Sequence, residues 1–159
     1  MFHIRVQQEV FDLGAEMARL TEGHPGIGAV ASFVGLVRDE NRVGEHSGSI
    51  DNMTLEHYPG MTEKALAGIV EQASKRWGLE AATVIHRVGS LAPGDPIVLV
   101  LTASAHRQDA FDACQYVMDI LKTEAPFWKK EVLSDGSERW VDSRTSDSEA
   151  ARRWEADDR

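Results

Sequence analysis

Lys122, Lys129 and Lys130 fall together in Leu121-Lys122-Thr123-Glu124-Ala125-Pro126-Phe127-Trp128-Lys129-Lys130, within a chain that is otherwise acidic. Ammonium groups beside a Pro-Phe-Trp step suit chemistry on an anion. An inward-facing lysine there would be partly desolvated, and so suited to proton transfer. Three further segments carry cations where elements meet. Arg38 closes an apolar stretch, His106-Arg107 precedes a helix, and Arg139 and Arg144 follow a turn. Backbone N–H groups and the helix dipole make the His106-Arg107 junction a natural anion site. Each has an ordinary explanation as well. A strand-end arginine is solvated, Lys122 complements a helix C-terminus, and His106 caps a helix while Arg107 pairs with a carboxylate. Clustered, the four segments would form an anion pocket.

The elements that must position these cations are readable from periodicity. His3–Gln7 alternates as a strand, and Asp12 caps a short helix to Leu20 with Leu13, Met17 and Leu20 on one face. Residues 27–37 read as a buried strand, 43–51 as a surface loop, and Met53–Tyr58 as a strand. Pro59-Gly60 turns the chain into a helix over Met61–Trp77, whose stripe is Leu66, Ile69, Val70, Ala73 and Trp77, ended by Gly78. Ala82–Val88 is a strand, Leu91–Pro96 a tight connection, and Ile97–Leu101 a central strand. A helix over 108–122 presents Phe111, Cys114, Val117, Met118 and Leu121. Pro126 requires that helix to end. Phe127–Leu133 and Glu138–Val141 flank Ser134-Asp135-Gly136-Ser137 as a β-hairpin, in which Lys129 and Lys130 face opposite ways. The polar tail from Thr145 is expected to fray. This order predicts an α+β fold, with helices packed on a mostly antiparallel sheet and a C-terminal hairpin.

Composition narrows the function. With 17 basic against 26 acidic residues the formal charge is −9, which argues against a general nucleic-acid binder. Cys114 is the only cysteine, and its place on an apolar helix face reads as a buried thiol, not a nucleophile. The six histidines lack metal-ligand spacing, and His57 and His86 read as hydrogen-bonding residues at the core edge. Gly23-x-x-Gly26-x-Gly28 precedes a strand and not a helix, so it is no dinucleotide fingerprint. No apolar run approaches the roughly 18 residues of a membrane span, and no signal-peptide pattern opens the chain; the expectation is a cytoplasmic protein.

Six ordered segments carry a family resemblance: Phe33–Arg38, Leu55–Met61, Val84–Gly89, Pro93-Gly94-Asp95, Ser104–Arg107 and Lys122–Lys129. In this order, and with the unusual Ala-Pro-Phe-Trp-Lys, the chain resembles the large, catalytic subunit of molybdopterin synthase. The likeness runs from about residue 3 to residue 144, leaving 41–51 and the tail outside the pattern.

The resemblance implies a hammerhead-type α+β domain over 1–144 with a polar tail over 145–159. It implies a homodimer whose subunits each bind a small ubiquitin-like sulfur carrier ending in a Gly-Gly thiocarboxylate, giving a heterotetramer. Sulfur would pass to cyclic pyranopterin monophosphate in two rounds, forming the dithiolene of molybdopterin, with no metal and no cofactor in this step. By similarity Lys122 and Lys129 are the catalytic lysines. Lys129 would do general acid/base work and Lys122 would meet the carrier's terminal carbonyl. Arg38, His106 and Arg107 would bind the substrate phosphate, Arg144 would reach across the dimer, and Lys130 would face away. The competing readings are a module that docks a carrier tail without turnover, and an enzyme for another phosphorylated heterocycle. Intact lysines at both motif positions argue against the first.

Overall fold

The computed structural model describes residues 1–43, 46–141 and 145–155. Its strands are β1 (Phe2–Gln7), β2 (Ala29–Leu36), β3 (Glu40–Val43), β4 (His46–His57), β5 (Ala81–Arg87), β6 (Gly89–Leu91), β7 (Pro96–Ser104), β8 (Phe127–Leu133) and β9 (Glu138–Val141). Its helices are α1 (Leu13–Thr21), α2 (Met61–Trp77), α3 (Arg107–Glu124) and α4 (Thr145–Arg152). The fold is α+β, as expected. One sheet has the order β1-β5-β7-β2, with only β1 and β5 parallel. The second runs β3-β4-β8-β9, with β6 paired to β4.

Burial explains this layering. Strands β5 and β7 are buried along nearly their whole length, which a strand needs when helices cover both its faces. On one face α2 and α3 contribute Leu66, Ile69, Val70, Ala73, Ala113, Val117 and Leu121 to the main core against Val84, Val98 and Val100. On the other, Leu20 of α1 packs over Ile85, Leu99 and Leu101. A third cluster, Val37, Met53, Leu55, Val88 and Leu91, joins the two sheets. Phe127, Val6 and Ile97 pack against both it and the main core.

Helix ends follow their local chemistry. The Asp12 carboxylate accepts from Ala15 N at 2.9 Å to cap α1. Gly78 ends α2 in the left-handed conformation (φ 57°), its N–H donating to the Ser74 carbonyl.

Four expectations need correction. Residues 46–51, expected as loop, form the first half of β4, paired with β3 and, from Ile50, with β8; residues 44–45 lie outside the described residues. Ladder hydrogen bonds to neighbours built the strand where its own sequence had no apolar alternation. In α1, Leu13 and Met17 are exposed and the buried face runs through Glu16 and Leu20. The Glu16 carboxylate tolerates burial because Arg5 and Arg19 pair with it. In α3, Phe111 is exposed, while Ala110, Ala113 and Tyr116 join the buried face.

The tail does not fray over its described length. It forms α4, and Trp154 beyond it is buried edge-on to Trp77 and Tyr116, with ring centroids 5.4 and 5.6 Å away. Its indole N–H donates to Asp119 at 2.7 Å, and Arg76 donates to its carbonyl at 3.1 Å. Trp154→Ala is expected to cost about 3 kcal/mol in urea unfolding, the usual scale for emptying a large aromatic site. Arg153→Ala, which removes a half-exposed ion pair to Asp119, is expected to cost under about 1 kcal/mol.

Candidate active site

Where β2, α3 and β8 converge lies a cavity of about 550 Å³, and Arg38, Lys122 and Lys129 all line it. Each arrives by a different route. Arg38 follows β2, whose end is held by the Pro93-Gly94-Asp95 turn. Val37 N donates to Asp95 O (2.9 Å), and Gly94 N to Val37 O (2.7 Å). The Asp95 carboxylate braces the turn by accepting from Ala92 N. Lys122 stands in the last turn of α3. Ala125 is already extended (φ −77°, ψ 130°), because Pro126 disfavours helical geometry before it. Lys129 is the third residue of β8.

Register decides which lysine of β8 enters. Lys129 is paired with Leu55 and Glu131 with Met53, both partners being buried, so these two β8 side chains share the inward face. Lys130 pairs with Thr54 and Trp140 on the opposite face. There its ammonium lies 5.9 Å from the Trp140 ring and 3.8 Å from Glu138. The division between the two lysines inferred from alternation holds. Glu131 also lines the cavity and is buried, with Arg139 3.3 Å from its carboxylate.

His106 and Arg107 are placed elsewhere. His106 holds the N-cap position of α3 without a side-chain cap bond, and both residues are exposed. Arg107 and Lys122 are fifteen residues apart on one helix, or about 22 Å along its axis at the usual rise. Within one chain neither His106 nor Arg107 lines the cavity. Arg144 lies outside the described residues.

His86, expected as a hydrogen-bonding residue at the core edge, also lines the cavity. Its ring stacks on Phe127 with centroids 3.9 Å apart and planes at 22°. Nδ1 lies 2.9 Å from the Arg87 carbonyl, so the neutral ring donates there and keeps Nε2 as the acceptor. Burial, then the charges of Lys129, Lys122 and His57, lower its pKa from 6.5 to about 3, against the opposing hydrogen bond to Arg87. The cavity therefore holds a neutral imidazole beside Lys122 and Lys129 at physiological pH. The signal available in sequence was weak: one polar residue inside a strand of buried neighbours. Cys114 is buried and its thiol is pushed up to about 11 by desolvation, so it stays protonated at neutral pH. Among the described residues, no three His, Cys, Asp or Glu side chains converge as metal ligands.

The low pKa of His86 has a sign in stability. Folded, the ring stays neutral down to about pH 3; unfolded, it takes a proton below about 6.5. Between those values the unfolded chain binds the extra proton, so acidification removes stability. Comparing urea midpoints at pH 7 and pH 5, wild type is expected to lose about 2 kcal/mol more than His86→Asn. Equal losses would show that His86 does not carry this linkage.

The chain that gathers Arg38, Lys122 and Lys129 around one cavity has clear relatives among known proteins. A family model described as MoaE protein matches residues 6–124. The molybdopterin synthase catalytic subunit of Ralstonia nicotianae is 61% identical over 151 residues, covering 95% of this chain and 83% of that protein. Its counterpart in Pseudomonas aeruginosa is 58% identical, covering 96% and 98%. Among solved structures, a molybdopterin biosynthesis MoaE protein from Burkholderia ambifaria superposes with a TM-score of 0.81 at 53% identity, covering 98% of this chain and 99% of that one. The chain belongs to the MoaE family, the catalytic subunits of molybdopterin synthase in molybdenum cofactor biosynthesis.

Proposed function

We propose that this subunit is a sulfurtransferase, moving sulfur from the C-terminal thiocarboxylate of a small ubiquitin-like carrier to cyclic pyranopterin monophosphate. The observation that carries this reading is the meeting of Arg38, Lys122 and Lys129 around one cavity in a chain of charge −9. Donor and acceptor are both anions, and holding two anions in contact requires fixed positive charge before any bond changes. In each round sulfur bonds to a pterin carbon as a carbon–oxygen bond at that carbon breaks, the oxygen leaving on the ring-opened phosphate in one round and as water in the other. The carrier's C–S bond then breaks, and water supplies the oxygen that leaves the carrier with an ordinary carboxylate. Two rounds build the dithiolene. Lys129, half-buried on the inward face of β8, is assigned to proton transfer. Lys122, exposed at the end of α3, is assigned to the carrier's terminal carbonyl, where charge develops. The setting is taken to be cytoplasmic; no helix among the described residues is long and apolar enough to cross a membrane.

The separation of His106 and Arg107 from the cavity bears on assembly. About 22 Å of helix is too far for one phosphate to touch Arg107 and Lys122 of the same chain. We assign His106 and Arg107 to the pocket of a second copy, with Arg144 likewise reaching across. The working unit is then a homodimer carrying two small subunits.

With preformed thiocarboxylate carrier in single turnover, Lys129→Ala and Lys122→Ala are each expected to slow product formation by about 10²- to 10⁴-fold. A Lys122→Ala protein that keeps the full rate would remove that residue from the mechanism, and carrier binding with no turnover by wild type would favour a docking module instead. Mixing Lys129→Ala and Arg107→Ala subunits and letting them exchange is expected to restore activity, since each mixed dimer then holds one intact site. No recovery would mean that Arg107 does not act across the dimer.

A further inference from the structure

None of residues 57–63 lines the cavity, yet His57-Tyr58-Pro59-Gly60-Met61-Thr62-Glu63 is tied to it by one buried hydroxyl. Thr62, in the first turn of α2, is fully buried. Its Oγ1 accepts from the Tyr58 N–H at 3.0 Å and donates to the Pro126 carbonyl at 3.0 Å, 64 residues away. Pro126 sits between the two lysines, in the corner where α3 becomes β8. The proline has no N–H, and the adjacent Phe127 N–H is occupied by Ala125 O at 3.0 Å. The hydroxyl is both donor and acceptor, so it joins the exit of β4, the start of α2 and the α3–β8 corner through a single atom.

The turn that presents Thr62 is itself braced. Gly60 adopts φ 84°, a conformation that disfavours any side chain. Its N–H donates to the Glu63 carboxylate at 2.6 Å, whose other oxygen lies 3.5 Å from His57 Nε2. His57 in turn is the register partner of Phe127, the residue after Pro126. The clamp therefore grips both sides of the corner: by ladder pairing at Phe127 and by the Thr62 hydroxyl at Pro126.

We infer that Thr62 is a positioning residue for sulfur transfer, fixing the Pro126 corner so that Lys122 and Lys129 hold their separation across the cavity. This rests on the assignment of those two lysines to catalysis. The hydroxyl touches neither substrate nor carrier; it acts through the carbonyl it holds. A misplacement on the ångström scale at a reacting pair is enough to cost up to about 100-fold in rate.

The test is single-turnover sulfur transfer with thiocarboxylate carrier, each rate taken per folded molecule from a parallel urea titration. Thr62→Val, which keeps the shape and loses the hydroxyl, is expected to slow the saturated rate by about 10- to 100-fold while changing carrier affinity less than about twofold. Thr62→Ser restores the hydroxyl and is expected to recover the rate to within about threefold of wild type. On a Lys129→Ala background, Thr62→Val is expected to add less than about threefold, because the lysine pair whose separation it fixes is already broken. Should Thr62→Val fail to fold, Thr62→Ala takes its place in the same comparison. A folded Thr62→Val or Thr62→Ala protein at the wild-type rate, beside a slow Lys129→Ala, overturns the proposal alone, as does full multiplication of the two effects. A Lys129→Ala protein at the wild-type rate overturns the lysine assignment and this inference together.

Discussion

The break that Pro126 imposes between α3 and β8 is the constraint on which the site depends. A continuous helix would carry Lys122 and Lys129 seven residues apart, about 10 Å along one axis and on nearly the same face. Both ammonium groups would then stand on a single surface facing outward or inward together. Ending the helix at Glu124 and starting a strand at Phe127 changes this relation. One lysine now projects from a helix terminus and the other from the inward face of a sheet, and they line one cavity from two walls. The proline removes a donor and disfavours helical geometry before it, so the break is built into covalent structure.

Electrostatics concentrates where the fold converges. The chain as a whole is acidic, and its cations are brought to the cavity by the ends of β2, α3 and β8. His86 lines the same cavity, held neutral by burial and by the lysines themselves, and fixed in tautomer by the Arg87 carbonyl. A neutral imidazole adds an acceptor without adding to the repulsion among the cations. Glu131, two residues beyond Lys129 on the same strand face, places a carboxylate at the same wall, with Arg139 beside it. The cavity wall is thus a mixed electrostatic surface supported by the β4–β8–β9 ladder.

The family segments divide by what they do. Phe33–Arg38 and Lys122–Lys129 supply lining residues directly. Pro93-Gly94-Asp95 holds the end of β2 through the paired hydrogen bonds to Val37. In His86-Arg87, the imidazole lines the cavity while Arg87 donates to the Gln8 and Pro96 carbonyls, binding the ends of neighbouring strands. Ser104–Arg107 runs from the end of β7 into the start of α3, the opposite end of that helix from Lys122.

Much of this was legible from residue order alone. Helix α2 with its Leu66, Ile69, Val70 and Ala73 stripe, the buried run of β7, the stop at Pro126 and the opposed faces of Lys129 and Lys130 all follow from periodicity and proline geometry, which are local. Local rules could not give β4 its first half, because that pairing is supplied by β3 and β8 and not by alternation within 46–51. Nor could they bury Trp154, whose partners Trp77, Tyr116 and Asp119 lie on other helices. Phe111 and Leu13 fit their helical stripes yet stay exposed, since a stripe becomes core only where another element covers it. The sequence by itself determined which cations could gather at an anion site and where the chain must break between the lysines. Only the tertiary structure decided that Arg38, Lys122 and Lys129 share a cavity, that His86 joins them uncharged, and that His106 and Arg107 stand a helix length away. Convergence of distant segments is a property of packing, and no spacing along the chain encodes it.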